Sequence, residues 1–278
     1  MASRKRAKTS PFSAATGAER LCERAEVRLE APIEAAESVV ALIESRSREV
    51  GLAGVHCRSM DFELTQFSDT ASYSRTISAV LAADAAVVLL ARSARGTQLL
   101  QILEEMMPQK LHFLERRHFD EAEGQALLLE ATVVGLQEAD YGSKFAAAAS
   151  FTALWRYIES SKDVSLMSSS CKVTFRAASD ICVVDNSTAR LLELVSSTRR
   201  CSMMSLFSCR TSQGSQLLRQ ALLQPSANLQ EIRRRQAGVE ALLEDRLLER
   251  VQQLLPGVGD LDQIVARLTA EPRQRGLQ

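Results

Sequence analysis

The sequence predicts an α/β domain followed by an all-α segment, and three observations carry that reading. Apolar residues between positions 37 and 67 fall into three short, closely spaced runs, the pattern of neighbouring strands. From residue 68 to 115 the period changes, and stretches with helical spacing alternate with short apolar runs. After Asp120 the chain becomes rich in Ala, Leu and aromatic residues at helical spacing.

Each element has its own signal. Ser38 to Glu44 (SVVALIE) reads as the first strand, and Val50 to Cys57 as the second, with Gly51 and Gly54 as bulge positions. Phe62, Leu64 and the pair Gln66–Phe67 alternate along a third, and the three together predict an antiparallel meander. Tyr73, Ile77, Val80 and Leu81 share one face of a helix for which Ser68 or Asp69 can supply the cap. Ala85 to Leu90 is an apolar run suited to a strand buried on both faces. Leu99, Leu100, Ile102 and Leu103 mark a second helix, starting near Thr97 and ending before Pro108, and Lys110 to Glu115 a fifth strand. Three strands followed by helix–strand–helix–strand is the order of a ribonuclease-H-like domain.

Nucleases of that fold hold two metal ions with carboxylates at the strand ends. Here the inventory is Glu44 at the end of the first strand, Asp61 and Glu63 on the third, and Asp84 at a helix end. The first strand has no inward Asp, so these read as solvated surface charges and a catalytic role is not expected.

The remainder is expected to be mostly helical, with Ala126 to Leu136 and Phe145 to Tyr157 as helices and Trp155, Tyr157 and Ile158 in a core. An aromatic stacked on a base is the alternative for this group. Ser160 to Ser170 reads as a polar loop and Val173 to Val184 as an extended segment ended by Asp185, with helix thereafter apart from breaks near Arg210, Pro225 and Pro256–Gly257. Asn228 and Glu231 have capping-box spacing. Leu229, Ile232, Val239 and Leu243, with Gln236, form one helical stripe, and Leu217, Leu218, Ala221 and Leu222 another, as in a packed bundle.

Composition narrows the function classes. The chain has 278 residues, 46% of them apolar, and a formal net charge of zero, which argues against a wholly basic nucleic-acid coat. Its six cysteines show neither C-x-x-C pairs nor Cys/His ligand spacing, the pattern of a reduced compartment. No apolar run reaches the length of a membrane span. Residues 1–36 read as a disordered basic arm in which Arg4, Lys5, Arg6 and Lys8 suit nuclear import, a plain solvated tail being the alternative. Arg199, Arg200, Arg210, Arg233 and Arg234 are candidates for phosphate contact, with pairing to nearby glutamates the competing reading.

From Val183 onward the chain resembles the start of the core, or lever, domain of the MutS mismatch-recognition family. The resemblance rests on Asp185, Thr188 and Leu192–Glu193–Leu194, then Ser205–Leu206–Phe207, then Thr211 and Gly214 with Leu218–Arg219, then Pro225, and finally Ile232, Arg235, Val239 and Leu242. Upstream, Gln66 to Ile77 and Arg116 to Gly124 look most like the meiosis-specific branch. The chain departs from the pattern by roughly one helical turn missing between Phe207 and Thr211, by Gln216 in place of Arg, and by Ser226 in place of Leu.

The resemblance implies a connector domain of ribonuclease-H-like fold at 37–128 and an incomplete core domain at 129–278. It implies a structural junction at Asp185, Thr188, Thr211, Gly214, Arg219 and Pro225. It further implies a non-catalytic part of a DNA-binding clamp in the nucleus, paired as a heterodimer with a second MutS homologue on branched double-stranded DNA in meiotic crossover formation. Mismatch repair, or a helical scaffold with no DNA role, are the alternatives. The chain contains no G-x-x-x-x-G-K-[ST] loop, so no cofactor is expected on it; ATP and magnesium are expected for the full-length family.

Overall fold

The computed structural model describes residues 38–45, 47–57, 59–131, 142–162, 164–166, 171–195, 202–244, 247–255 and 270–272. The basic arm, Arg199 and Arg200 therefore lie outside the described residues.

Strands β1 (Ser38–Glu44), β2 (Glu49–His56) and β3 (Asp61–Ser68) form the expected antiparallel meander. Helix α1 (Ser74–Ala82) leads to β4 (Val87–Ala91), and α2 (Gln98–Met106) to β5 (Leu111–Leu114). β4 runs parallel to β1, and β5 parallel to β4. After α3 (Glu121–Ala131) and α4 (Phe145–Lys162), β6 (Val164–Leu166) precedes β7 (Lys172–Phe175). The sheet order is β5-β4-β1-β2-β3-β7, a mixed ribonuclease-H-like sheet with β7 added parallel to β3 at its edge.

Alternation along the strands divides the core between two faces. Val39, Ala41, Val55, Phe62 and Leu89 point to α3 and α4, where Phe62, Phe151 and Trp155 make a ring cluster with centroids 5.4–5.6 Å apart. Such ring pairs contribute about 0.5–1.5 kcal/mol each beyond area burial. Tyr157 and Ile158 are buried with them, so this aromatic group belongs to the core and does not face a nucleobase. Val40, Leu42, Leu52, Val88 and Leu90 point the other way, to Tyr73, Ile77 and Val80 of α1 and to Leu99, Leu100 and Leu103 of α2. The N-cap of α1 is Tyr73, which gives no side-chain bond, and not Ser68 or Asp69 as expected; Asp69 instead reaches the first turn from outside the helix, accepting from the Thr76 amide at 2.8 Å and its hydroxyl at 2.7 Å.

Gly51 is not a bulge, because the β1–β2 and β2–β3 registers run through it without interruption. It is a point of close approach instead: a Cβ there would sit 2.1 Å from the Ala146 carbonyl carbon, and one at Gly124 would sit 2.1 Å from the Ala148 oxygen. The small residues at the start of α4 thus lie directly on the sheet and on α3. Gln66, buried in β3, accepts from the Ala147 amide at 3.0 Å and donates to Glu49 at 2.8 Å, so its amide is satisfied on both sides.

Three further expectations change. The segment from Ser160 to Ser170 is not all loop, since α4 runs to Lys162 and β6 pairs antiparallel with β8 (Ala270–Pro272), which also interrupts the predicted helical tail. The body built on the sheet extends to Phe175, past the division expected at 128, because α4 covers β1 and β2 and β7 completes the sheet edge. The third change concerns the lever stripe. After α5 (Asn186–Leu191) and α6 (Ser212–Leu223), helix α7 (Leu229–Leu243) carries no buried residue, and α8 (Leu247–Leu254) follows it. Leu229, Val239 and Leu243 are exposed, so among the described residues the predicted bundle is not formed around them.

Candidate junction site

The structure brings α6 onto the open end of the α1 side of the sheet, and local capping explains why the chain arrives there. Asp185 ends the extended segment and accepts from the Thr188 amide at 3.0 Å and hydroxyl at 2.6 Å, opening α5. Hydrogen bonds from the Ser187 and Thr188 hydroxyls hold its carboxyl well below the usual range. Leu194 then packs with Ala189, Ala82 and Leu223 in a small core of its own. A 3₁₀ turn at Met203–Leu206 is closed by Ser202 and Ser205 acting on each other's amides. Thr211 opens α6 by accepting from the Gly214 amide at 3.1 Å.

At the contact, each helix has a C-terminal carbonyl satisfied by the other. Arg219 Nε of α6 donates to the Leu81 carbonyl near the end of α1 at 3.0 Å. Ser78 Oγ of α1 donates to the Leu223 carbonyl at the end of α6 at 3.2 Å. The Leu223 carbonyl, in the last turn of α6, has Ser78 as the donor that the helix itself does not supply, while the Leu81 carbonyl, which already accepts from the Asp84 amide at 3.2 Å, gains Arg219 as a second donor. Arg219 Nη2 also lies 3.2 Å from Asp84, which has a left-handed backbone (φ 47) at the close of α1.

A second set of bonds ties α6 to the edge of the sheet. Glu63 on β3 receives Arg176 Nη1 at 3.0 Å and Gln220 Nε2 at 3.0 Å, while Arg176 also donates to Gln224 at 3.1 Å. The turn after α6 folds back on the segment beyond β7: Cys182 donates to the Pro225 carbonyl at 2.8 Å, Ala227 to the Asp180 carbonyl at 2.8 Å, and Ile181 bridges Ser226. Between α6 and strands β2, β3 and β7 a groove of about 610 Å³ remains, with Glu63, Thr65, Arg176, Gln216 and Gln220 on its walls.

Of the six junction residues expected from the sequence, Arg219 touches the α/β body directly, Pro225 pins the turn by its carbonyl, and Asp185, Thr188, Thr211 and Gly214 build the helix starts that aim them. Sequence reasoning missed their partners Ser78, Glu63, Asp84, Arg176 and Gln220. Glu63 and Asp84 had been read as solvated charges, but each is engaged by an arginine. Glu44 accepts from the Tyr73 hydroxyl, and Asp61 stands exposed at the opposite end of the sheet, so the four carboxylates do not converge.

The arginines considered for phosphate contact divide in two. Arg210 and Arg233 are exposed. Arg234 meets Glu231 through two bonds of 2.8 and 2.9 Å, and Arg235 meets the same carboxylate at 2.8 Å. These pairs lower the Glu231 pKa to about 2 and raise that of Arg234. Only half of the predicted capping box forms, because Asn228 accepts from Gln230 and Glu231 while the Glu231 side chain bonds to the arginines. Among the described residues no helix is long and apolar enough to cross a membrane.

A family model described as MutS domain III matches residues 187–277, beginning two residues after the Asp185 cap. The chain is 24% identical over 253 residues to MutS protein homolog 4 of Mus musculus, a match covering 85% of this chain and 26% of that protein. Against MutS protein homolog 4 of Homo sapiens the identity is also 24% over 253 residues, covering 85% and 27%. The DNA mismatch repair protein MSH4 of Arabidopsis thaliana is 27% identical over 232 residues, covering 76% and 29%. A bacterial relative, the DNA mismatch repair protein MutS of Synechococcus elongatus, is 36% identical over 98 residues, covering 33% and 11%. The chain spans about a quarter of the length of the first of these relatives.

Proposed function

We propose that this chain, which matches MutS domain III over residues 187–277 and is similar over most of its length to fourth MutS homologues, is a MutS-family protein that supplies the connector and the first lever helices of a clamp acting in meiotic recombination. The reading places the division between connector and lever in the segment from Phe175 to Asp185, where the chain leaves the sheet and the capped helices begin. The observation that carries it is the reciprocal capping of α1 and α6 by Ser78 and Arg219, which fixes the first long lever helix to the connector. A movement of the lever would then be passed to the α/β body as a rigid displacement instead of being lost in a loose linker.

In this reading the protein works in the nucleus as a heterodimer with a second MutS homologue and holds branched double-stranded DNA. ATP and magnesium belong to the ATPase part of such proteins, and this chain contributes no catalytic residue to it. Of the described arginines expected to meet phosphates, Arg210 and Arg233 are exposed, whereas Arg234 is engaged by Glu231.

Co-expression with a second MutS homologue, followed by size exclusion and by fluorescence anisotropy on four-way and linear DNA, tests the proposal. Co-elution with tighter binding to the four-way substrate supports it; two separate peaks and no DNA affinity would favour a helical scaffold. The bacterial MutS relative motivates a second reading in mismatch repair, which predicts preference for a mismatched linear duplex over the four-way one.

A further inference from the structure

The first turn of α6 reads Thr211–Ser212–Gln213–Gly214–Ser215–Gln216, so two serines are each followed by glutamine. Ser212 is exposed and Ser215 half-buried. Both border a cavity of about 190 Å³ at the junction, together with Gln216, Arg219, Asp84 and His56. Ser215 stands one turn before Arg219, the (i, i+4) spacing at which side chains on a helix meet, and it is on the N-terminal side, where a negative partner for a cation is favoured. We propose that Ser215 is a phosphorylation site for a serine kinase that reads a following glutamine, and that its phosphate takes Arg219 from Asp84 and opens the junction.

In the transfer, Ser215 Oγ attacks the γ-phosphorus of ATP. The P–Oγ bond forms as the bond to the β,γ-bridging oxygen breaks, ADP leaves with that electron pair, and the hydroxyl proton passes to the kinase's base. The product carries a charge of about −1.5 to −2 and three acceptor oxygens. Its competitor is a single carboxylate, 59% exposed, that meets Arg219 through one nitrogen at 3.2 Å. Arginine binds phosphate with two parallel bonds, and the N-terminal end of α6 favours the added negative charge. The cavity supplies the space, and exposed residues 207–210 immediately before the helix give an enzyme access to its first turn. Turning the guanidinium toward Ser215 also breaks its bond to the Leu81 carbonyl, so one event removes both contacts of Arg219 with the end of α1.

The inference rests on the junction acting as a joint and not on the DNA reading. The purified chain is incubated with ATP and a glutamine-directed serine kinase, mapped by peptide mass spectrometry, and then briefly digested with trypsin. Phosphate is expected on Ser215, and is expected to be lost in Ser215→Ala and in Gln216→Ala. Cleavage after Arg219, whose side chain is only 19% exposed, should accelerate several-fold relative to cleavage after exposed Arg233. Absence of phosphate from the wild-type chain, or phosphate on Ser212 alone, overturns the site. Phosphate on Ser215 with unchanged cleavage after Arg219 overturns the switch. Ser78→Ala combined with Asp84→Asn in the unmodified chain, which removes the Leu223 carbonyl's donor and the ion pair together, separates the two ideas: if cleavage after Arg219 does not rise there, the joint itself fails, whatever the kinase does.

Discussion

Arg219 on α6 joins Asp84 at 3.2 Å while donating to the Leu81 carbonyl at 3.0 Å, so one side chain closes the end of a helix that lies 138 residues earlier in the chain. Replacing it with alanine removes one of the two donors to the Leu81 carbonyl, the Asp84 amide at 3.2 Å remaining, and an ion pair whose exposed partner limits its worth. Arg219→Ala should therefore destabilise the chain by about 0.5–1.5 kcal/mol, mostly through the lost carbonyl bond. Arg219→Lys should recover less than half, because an ammonium lacks the fork that reaches both acceptors. Urea unfolding of the two variants beside the wild type checks the order.

Gly51 and Gly124 mark where α4 rests on the sheet and on α3. Either one changed to alanine pushes a methyl group into helix backbone at 2.1 Å, which no side-chain rotation can relieve. Gly51→Ala and Gly124→Ala should each cost about 1–3 kcal/mol or more. Gly54→Ala, where the added carbon would meet its nearest atom at 3.7 Å, should be milder by comparison of thermal midpoints.

Tyr73 is 3% exposed and its hydroxyl donates to Glu44. Burial first, and then the Glu44 carboxylate, push its pKa from 10.0 to about 12. A proton held more tightly by the folded state stabilises it fully below pH 10, and that contribution disappears as the pH rises through 12. The stability difference between wild type and Tyr73→Phe should shrink over this window; a difference constant from pH 9 to 12 would show that the phenol does not titrate late.

Glu231 answers at the other end of the scale. Bonds from Arg234 and Arg235 lower its pKa from 4.5 to about 2. Its support for the first turn of α7 is present above pH 4.5 and is lost as the pH falls toward 2. Circular dichroism should show helicity falling across that interval in the wild type, with a smaller fall in Glu231→Gln.

The fold was legible where the evidence is local. Alternation along Phe62–Leu64 and helical spacing along Tyr73–Ile77–Val80 each declare the face that is buried, and the order of such segments identifies the sheet. β7 was read only as an extended segment, because a four-residue strand has no pattern that names its partner, and that partner is β3. Gly51 looked like a bulge because its reason, the backbone of α4, lies far along the chain. The same holds for the junction. Asp185 was visible as the end of the extended segment since a helix start is a local device, whereas Glu63 and Asp84 acquire partners only when α6 docks. On α7 the spacing of Leu229, Val239 and Leu243 predicted a packed stripe, but a stripe does not say what covers it, and these residues are exposed here.

The claim that α6 is fixed to the α/β body as one joint is tested most directly by amide hydrogen exchange on the chain before and after Arg219→Ala. The account predicts that amides of α6 and those at the end of α1 lose protection together, while β1 to β3 keep theirs. Loss confined to α6, with the end of α1 unchanged, would contradict it.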